Sequence, residues 1–175
     1  MMPLKRFQLL DPVLMPISDH EFSEVLPHIN RLLSFFRPSY VEDQFLRRTG
    51  LLGEVAIAKW ITGSIEPWIR TALARNTSNV DDPDLHDVPD VEAKTIRWFS
   101  RRVPLTPAGR NEIDLTKRFV IARPFNDDLT HFEIVGWIDG VTAKERWING
   151  GGLRMPSGSP AARLTDLRPT WEWDR

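Results

Sequence analysis

Helical patterning in the first half of the chain and strand patterning in the second predict an α/β (α+β) domain, with a central mixed β-sheet flanked by helices. Three observations carry this prediction. Apolar residues recur at helical spacing from Phe22 to Phe36 and again from Leu51 to Ile61. Three β-rich runs follow, at Val88–Ile96, Phe119–Ala122 and Phe132–Ile138. The 175 residues are 41% hydrophobic, with nine phenylalanines and seven tryptophans, which is enough for one substantial core with no composition break to mark a second.

The elements follow in order. Ser18-Asp19-His20-Glu21 is a capping box opening a helix whose apolar positions are Phe22, Val25, Leu26, Ile29, Leu32, Leu33 and Phe36. Pro27 lies inside it and predicts a kink or a split. Arg37-Pro38-Ser39 breaks the pattern, and a second helix is expected from about Val41 to Ile61, closed by Thr62-Gly63. Trp68–Leu73 reads as a short helix or strand. A short strand is allowed at Arg102–Leu105, and Asn126-Asp127-Asp128 supplies a turn between the Phe119 and Phe132 strands. Val141–Trp147 reads as a short helix, Gly150-Gly151-Gly152 as a break, and Pro156–Pro160 as loop, with Leu164 and Leu167 docking back on the body.

Composition excludes some chemistry at once. No cysteine is present, so disulfides, thiol catalysis and zinc-cysteine sites are ruled out. Met1–Arg6 is not followed by the apolar run of a secretory signal, and no segment has the length of a membrane span; an intracellular, cytoplasmic protein without a membrane partner is expected. Net charge is only −1, but its distribution is uneven. Asp81, Asp82, Asp84, Asp87, Asp90 and Glu92 form an acidic stretch free of Lys and Arg, followed by eight basic residues against two acidic ones from Ala93 to Arg123. Such segregation suits a metal site beside a phosphate-binding surface, or else a solvated charged face.

Asp90-Val91-Glu92-Ala93-Lys94 is the focus of that stretch. In an extended strand Glu92 and Lys94 project from the same side. With aspartates leading in, the pair matches a site for a hard divalent cation in which the lysine acts on a water or a phosphate. The competing reading is an exposed ion pair of little energetic consequence. Glu54 falls within the arc formed by Leu51, Val55, Ala58 and Ile61 on the second helix, where a carboxylate must either be paired or bind a cation. His86 is a lone loop histidine, and lone loop histidines are more often incidental than ligands.

Together these residues resemble the PD-(D/E)xK nuclease superfamily, in particular its small phage and restriction-endonuclease-like members. The resemblance rests on Gly50-Leu51-Leu52-Gly53-Glu54, a following aspartate with a hydrophobic neighbour, Val91-Glu92-Ala93-Lys94-Thr95, and a closing strand at Phe132–Ile138. It spans roughly Gly50 to Trp147, with specificity in order and spacing rather than identity. It implies a restriction-endonuclease-like fold in a single nuclease-like domain. Residues 1–40 would be an N-terminal helical extension, 41–147 the core and 148–175 a loop-rich tail.

By the resemblance, Glu92 and Lys94 match the Glu-x-Lys element and Glu54 the helical glutamate. Asp87, five residues before Glu92, fits the first aspartate, and Asp84 is the alternative. Asp90 completes the family's Pro-Asp dipeptide with Pro89 but lies only two residues before Glu92. The implied activity is Mg²⁺-dependent hydrolysis of DNA phosphodiesters, with Mn²⁺ as a substitute and endonucleolytic cutting ahead of exonucleolytic. Asp87, Glu92 and Glu54, with the Ala93 carbonyl, would hold the metal, and Lys94 would serve the attacking water or the phosphorus. Arg97, Arg101 and Arg102, which follow the catalytic strand, would contact DNA phosphates. A homodimer and a phage origin are further expectations of the resemblance. The alternatives are a non-catalytic DNA-binding or assembly protein that keeps the fold, and a purely structural domain.

Overall fold

The computed structural model describes residues 10–35, 41–75, 85, 88–107 and 110–174. It is a mixed α+β structure, and its four-stranded sheet runs β1-β5-β4-β2. The strands are β1 (Val13–Pro16), β2 (Val91–Thr95), β4 (Arg118–Pro124) and β5 (His131–Asp139). β2 lies parallel to β4, whereas β4–β5 and β1–β5 are antiparallel. A small second sheet pairs β3 (Arg102–Pro104) with β6 (Ala161–Arg163). The helices are α1 (Asp19–Ser34), α2 (Val41–Thr62), α3 (Glu66–Ala74) and α4 (Gly140–Asn149).

Local chemistry accounts for the helix positions. The Ser18 hydroxyl accepts from the Glu21 N–H and the Glu21 carboxylate accepts from the Ser18 N–H, which completes the capping box of α1. Pro27 sits inside α1 without dividing it: the helix runs on to Ser34. Its buried stripe of Val25, Ile29 and Leu32 shows why, since packing of that face outweighs one lost backbone bond. α2 is buried over more of its circumference than the single arc read from the sequence. Leu52, Val55, Ala56, Ile57 and Ala58 are fully inaccessible, while Leu51 and Ile61 are only partly covered. Lys59 ties it to its surroundings, donating to the Pro16 carbonyl at 2.7 Å and to Glu21 at 2.8 Å.

The sheet separates two cores. On one face Val91, Ala93, Val120, Ala122 and Ile134 pack with the apolar faces of α1, α2 and α3. On the other, Ile96, Phe119, Ile121 and Ile138 pack with Val103, Leu105, Ala143 and Ala162, so α4 and the small sheet cover that side.

The chain ends depart from the expected outline. Val13–Pro16, within the segment expected to form a helical extension, is a strand of the main sheet. Ala161–Arg163, in the loop-rich tail, is a strand of the small one. Leu167 is buried, and the backbones of Arg168 and Trp137 exchange hydrogen bonds of 2.7 and 3.1 Å. Among the described residues no helix is long and apolar enough to cross a membrane.

Candidate active site

β2 is the outer strand of the main sheet among the described residues. Its entry is pinned from β4: the Arg118 N–H donates to the Asp90 carbonyl at 2.7 Å, and the Arg118 side chain pairs with the Asp90 carboxylate at 2.7 Å. The same guanidinium lies over the Trp173 ring, 4.0 Å from its centre. Asp90 thus has a cationic partner already and acts as a clamp on the turn before β2.

The alternation of an extended strand then sets the two faces. Val91, Ala93 and Thr95 turn toward α2, and Glu92 and Lys94 share the opposite face with their register partners Phe119 and Ile121. There Lys94 Nζ donates to Glu92 Oε1 at 2.6 Å, with the side chains only 14% and 21% exposed. The exposed surface pair considered from the sequence is therefore not what the fold builds. Apolar neighbours exclude much of the surrounding water, and the pair interacts at a reduced effective dielectric.

α2 is seated directly on β2. A Cβ at Gly53 would fall 1.9 Å from the Thr95 hydroxyl, so only glycine permits this approach of helix to strand. The Thr95 hydroxyl in turn donates to the Gly50 carbonyl at 3.3 Å. The Gly-x-x-Gly spacing thus has a local structural cause, the contact with Thr95, one residue past Lys94.

Glu54, the next residue, is on the α2 side of the sheet. Its Oε2 accepts from Trp68 Nε1 at 3.0 Å and from Arg75 at 3.1 Å, and the ion-paired side chains are 17% and 14% exposed. The need to satisfy a carboxylate in the apolar arc is met by an arginine and an indole. Glu92 and Lys94 are brought together, whereas the hydrogen bonds of Glu54 go to Trp68 and Arg75.

Comparison with protein families, curated proteins and solved structures finds no match to the chain.

The remaining expected site residues divide into two groups. Asp81, Asp82, Asp84, His86 and Asp87 lie outside the described residues, so the first aspartate has no placement. Among the described residues no three His, Cys, Asp or Glu side chains gather as metal ligands, and of the expected carboxylates Glu92 is the one bonded to Lys94. Arg97, Arg101 and Arg102 are all exposed beyond the end of β2. Arg97 lies over the Phe99 ring at 5.8 Å, and Arg102 donates to the Arg154 carbonyl at 2.7 Å.

Trp68 and Arg75 were not singled out from sequence as partners of Glu54. The signal available was positional: they lie 14 and 21 residues after it, across the Gly63 turn into α3. Nothing local in the chain encodes that pairing.

Proposed function

We propose that the protein is a Mg²⁺-dependent deoxyribonuclease that hydrolyses DNA phosphodiester bonds, endonucleolytically, with Lys94 and Glu92 at its centre. The observation that carries this reading is the half-buried Lys94–Glu92 pair on the outer strand of a mixed sheet, backed by a helix locked onto the next residue. An ammonium that spends one N–H on Glu92 keeps two more donors, and these can be aimed at the non-bridging oxygens of a phosphate. Lys94 would thereby stabilise charge that accumulates on phosphorus as water adds and the leaving oxygen departs.

Glu92 would hold the ammonium in place and offer its carboxylate to the cation, alongside Asp87 or Asp84. A bound Mg²⁺ or Mn²⁺ supplies Lewis acidity and a more acidic water. Glu92 fits such a cation in charge and donor type, and the set is completed only by an aspartate from the preceding segment.

Cleavage of supercoiled plasmid and of a labelled duplex, with Mg²⁺ or Mn²⁺ added, tests the reading. Lys94→Ala is expected to lower the rate by about 10²–10³-fold, the usual loss when one charge-stabilising donor is removed. Equal cleavage by both proteins would remove the proposed site.

One observation favours a second reading. Glu54 is engaged by Arg75 and Trp68 rather than turned toward Glu92, as expected of a nuclease fold that binds DNA without cutting it. Duplex binding that weakens steeply with salt, with no cleavage under any divalent cation, selects that alternative.

A further inference from the structure

Beyond the end of β2 the chain makes a tight turn, closed by the Ser100 N–H on the Arg97 carbonyl at 2.9 Å. At its tip Trp98 is 70% exposed and Phe99 58%, with ring centres 5.5 Å apart in an edge-to-face arrangement. They line a cleft of about 280 Å³ together with Phe45 of α2, itself 50% exposed, and the buried Leu129. That volume is just below the roughly 300–1,000 Å³ typical of small-ligand pockets, so it suits a single heterocycle. Large aromatics left in water at one place mark a binding surface.

The charges around the cleft restrict what it takes. Arg97 sits over the Phe99 ring, and Arg101 and Arg102 follow within the same stretch of chain. Among the cleft's lining residues Arg97 is the cation, and a guanidinium beside exposed aromatic faces matches a sugar-phosphate chain whose bases stack on protein rings. The one exposed carboxylate lining the cleft, Asp127, would repel a phosphate but accepts well from the exocyclic amine of a base such as cytosine. Three residues, Thr95, Ile96 and Arg97, lie between Lys94 and Trp98, at most about 13 Å of chain from one Cα to the other.

From this we infer that the Trp98–Phe99–Phe45 cleft, past the end of the strand that carries Lys94 and Glu92, binds an unpaired nucleobase of a single-stranded nucleic acid segment. The inference deepens the nuclease reading and rests on it for the class of ligand: the substrate carries an unpaired stretch, as a flap, overhang or opened strand does.

The test is fluorescence anisotropy with three labelled probes in chelator, so that nothing is cut: a short oligodeoxycytidylate, an abasic strand of the same length, and a blunt duplex. The native protein is expected to prefer the oligodeoxycytidylate to the abasic strand. Trp98→Ala should weaken the first by about 5- to 150-fold, the usual loss for one stacked base, and leave the second unchanged. Trp98→Phe should restore most of the binding. Equal affinity of native and Trp98→Ala for the oligodeoxycytidylate would overturn the inference, as would equal affinity of the native chain for the cytidylate and abasic strands. So would a dimer in sedimentation that Trp98→Ala disperses while oligonucleotide binding is unchanged, since a second copy would then own the patch. Absence of cleavage with the binding pattern intact would remove the nuclease reading and leave the cleft standing.

Discussion

At the scale of single residues, two carboxylates that read alike in the sequence have different partners. Glu92 is held by an ammonium two residues along its own strand, and Glu54 by an arginine and an indole from the next helix. The Glu92 partner was legible, because period-two alternation forces positions 92 and 94 onto one face. The Glu54 partner was not, because the pairing crosses the α2–α3 turn. What was legible was the requirement for some partner, since burial of a lone carboxylate is prohibitive. Glu54→Ala leaves the Trp68 N–H and one Arg75 donor without their acceptor. Urea denaturation should show a loss of about 1–3 kcal/mol, the range for unsatisfied buried donors, and Glu54→Gln should recover part of it. Unchanged stability in Glu54→Ala, with cleavage lost, would instead place Glu54 in the chemistry.

At the scale of elements, the seating of α2 on β2 controls the position of the Glu92–Lys94 strand. Gly53→Ala puts a methyl into the Thr95 side chain. The expected cost is about 1–3 kcal/mol, as for other overpacked contacts. Thr95→Ala in the same chain should relieve part of it, giving a measurable coupling between the two positions. Two additive losses would mean the contact is not the constraint.

Helix capping adds a pH dependence. Burial alone would raise the Asp139 carboxyl, but hydrogen bonds from the Thr142 backbone and hydroxyl, with the Arg168 charge, outweigh it and hold the group below the usual aspartate range. Glu21 is held low in the same way: burial raises it, while Lys59 and the Ser18 cap prevail. A carboxyl depressed in the folded state stabilises the protein above its unfolded pKa of about 4, and that contribution is lost as pH falls through the lower folded value. Urea midpoints should therefore drop as pH falls below about 4. Asp139→Asn, which keeps a capping acceptor but cannot titrate, should show a shallower drop. An identical slope in both proteins would exclude Asp139 as a contributor.

The elements missed in the sequence share a physical cause. β1, at Val13-Leu14-Met15-Pro16, is four residues that follow one proline and end on another, and β6 is Ala161-Ala162-Arg163. Neither is long enough to express an alternating pattern. β1 covers an edge of the longer β5, and β6 pairs with the equally short β3, so each depends on a partner distant in sequence. The long elements, α1, α2, β4 and β5, announced themselves because their own buried faces set their period.

At the scale of the whole molecule, the sheet divides two cores, and the candidate site lies where the outer strand meets the second of them. Trp173 near the far end of the chain contacts Trp60 and Trp137 and carries the Arg118 guanidinium that clamps the turn before β2. Sequence-distant parts of the chain therefore meet around the entry to the site strand. That convergence was not readable from local pattern.

The central claim is that Glu92 and Lys94 form a cation-assisted phosphodiesterase centre. Crystals grown with Mn²⁺ test it most directly, through anomalous scattering that locates the ion. The account predicts an ion with a Glu92 carboxylate oxygen at about 2.0–2.2 Å, as for a small hard divalent cation, and a second carboxylate from the preceding aspartate-rich segment. Saturating Mn²⁺ with no ion at Glu92, and the Lys94–Glu92 pair undisturbed, would contradict it.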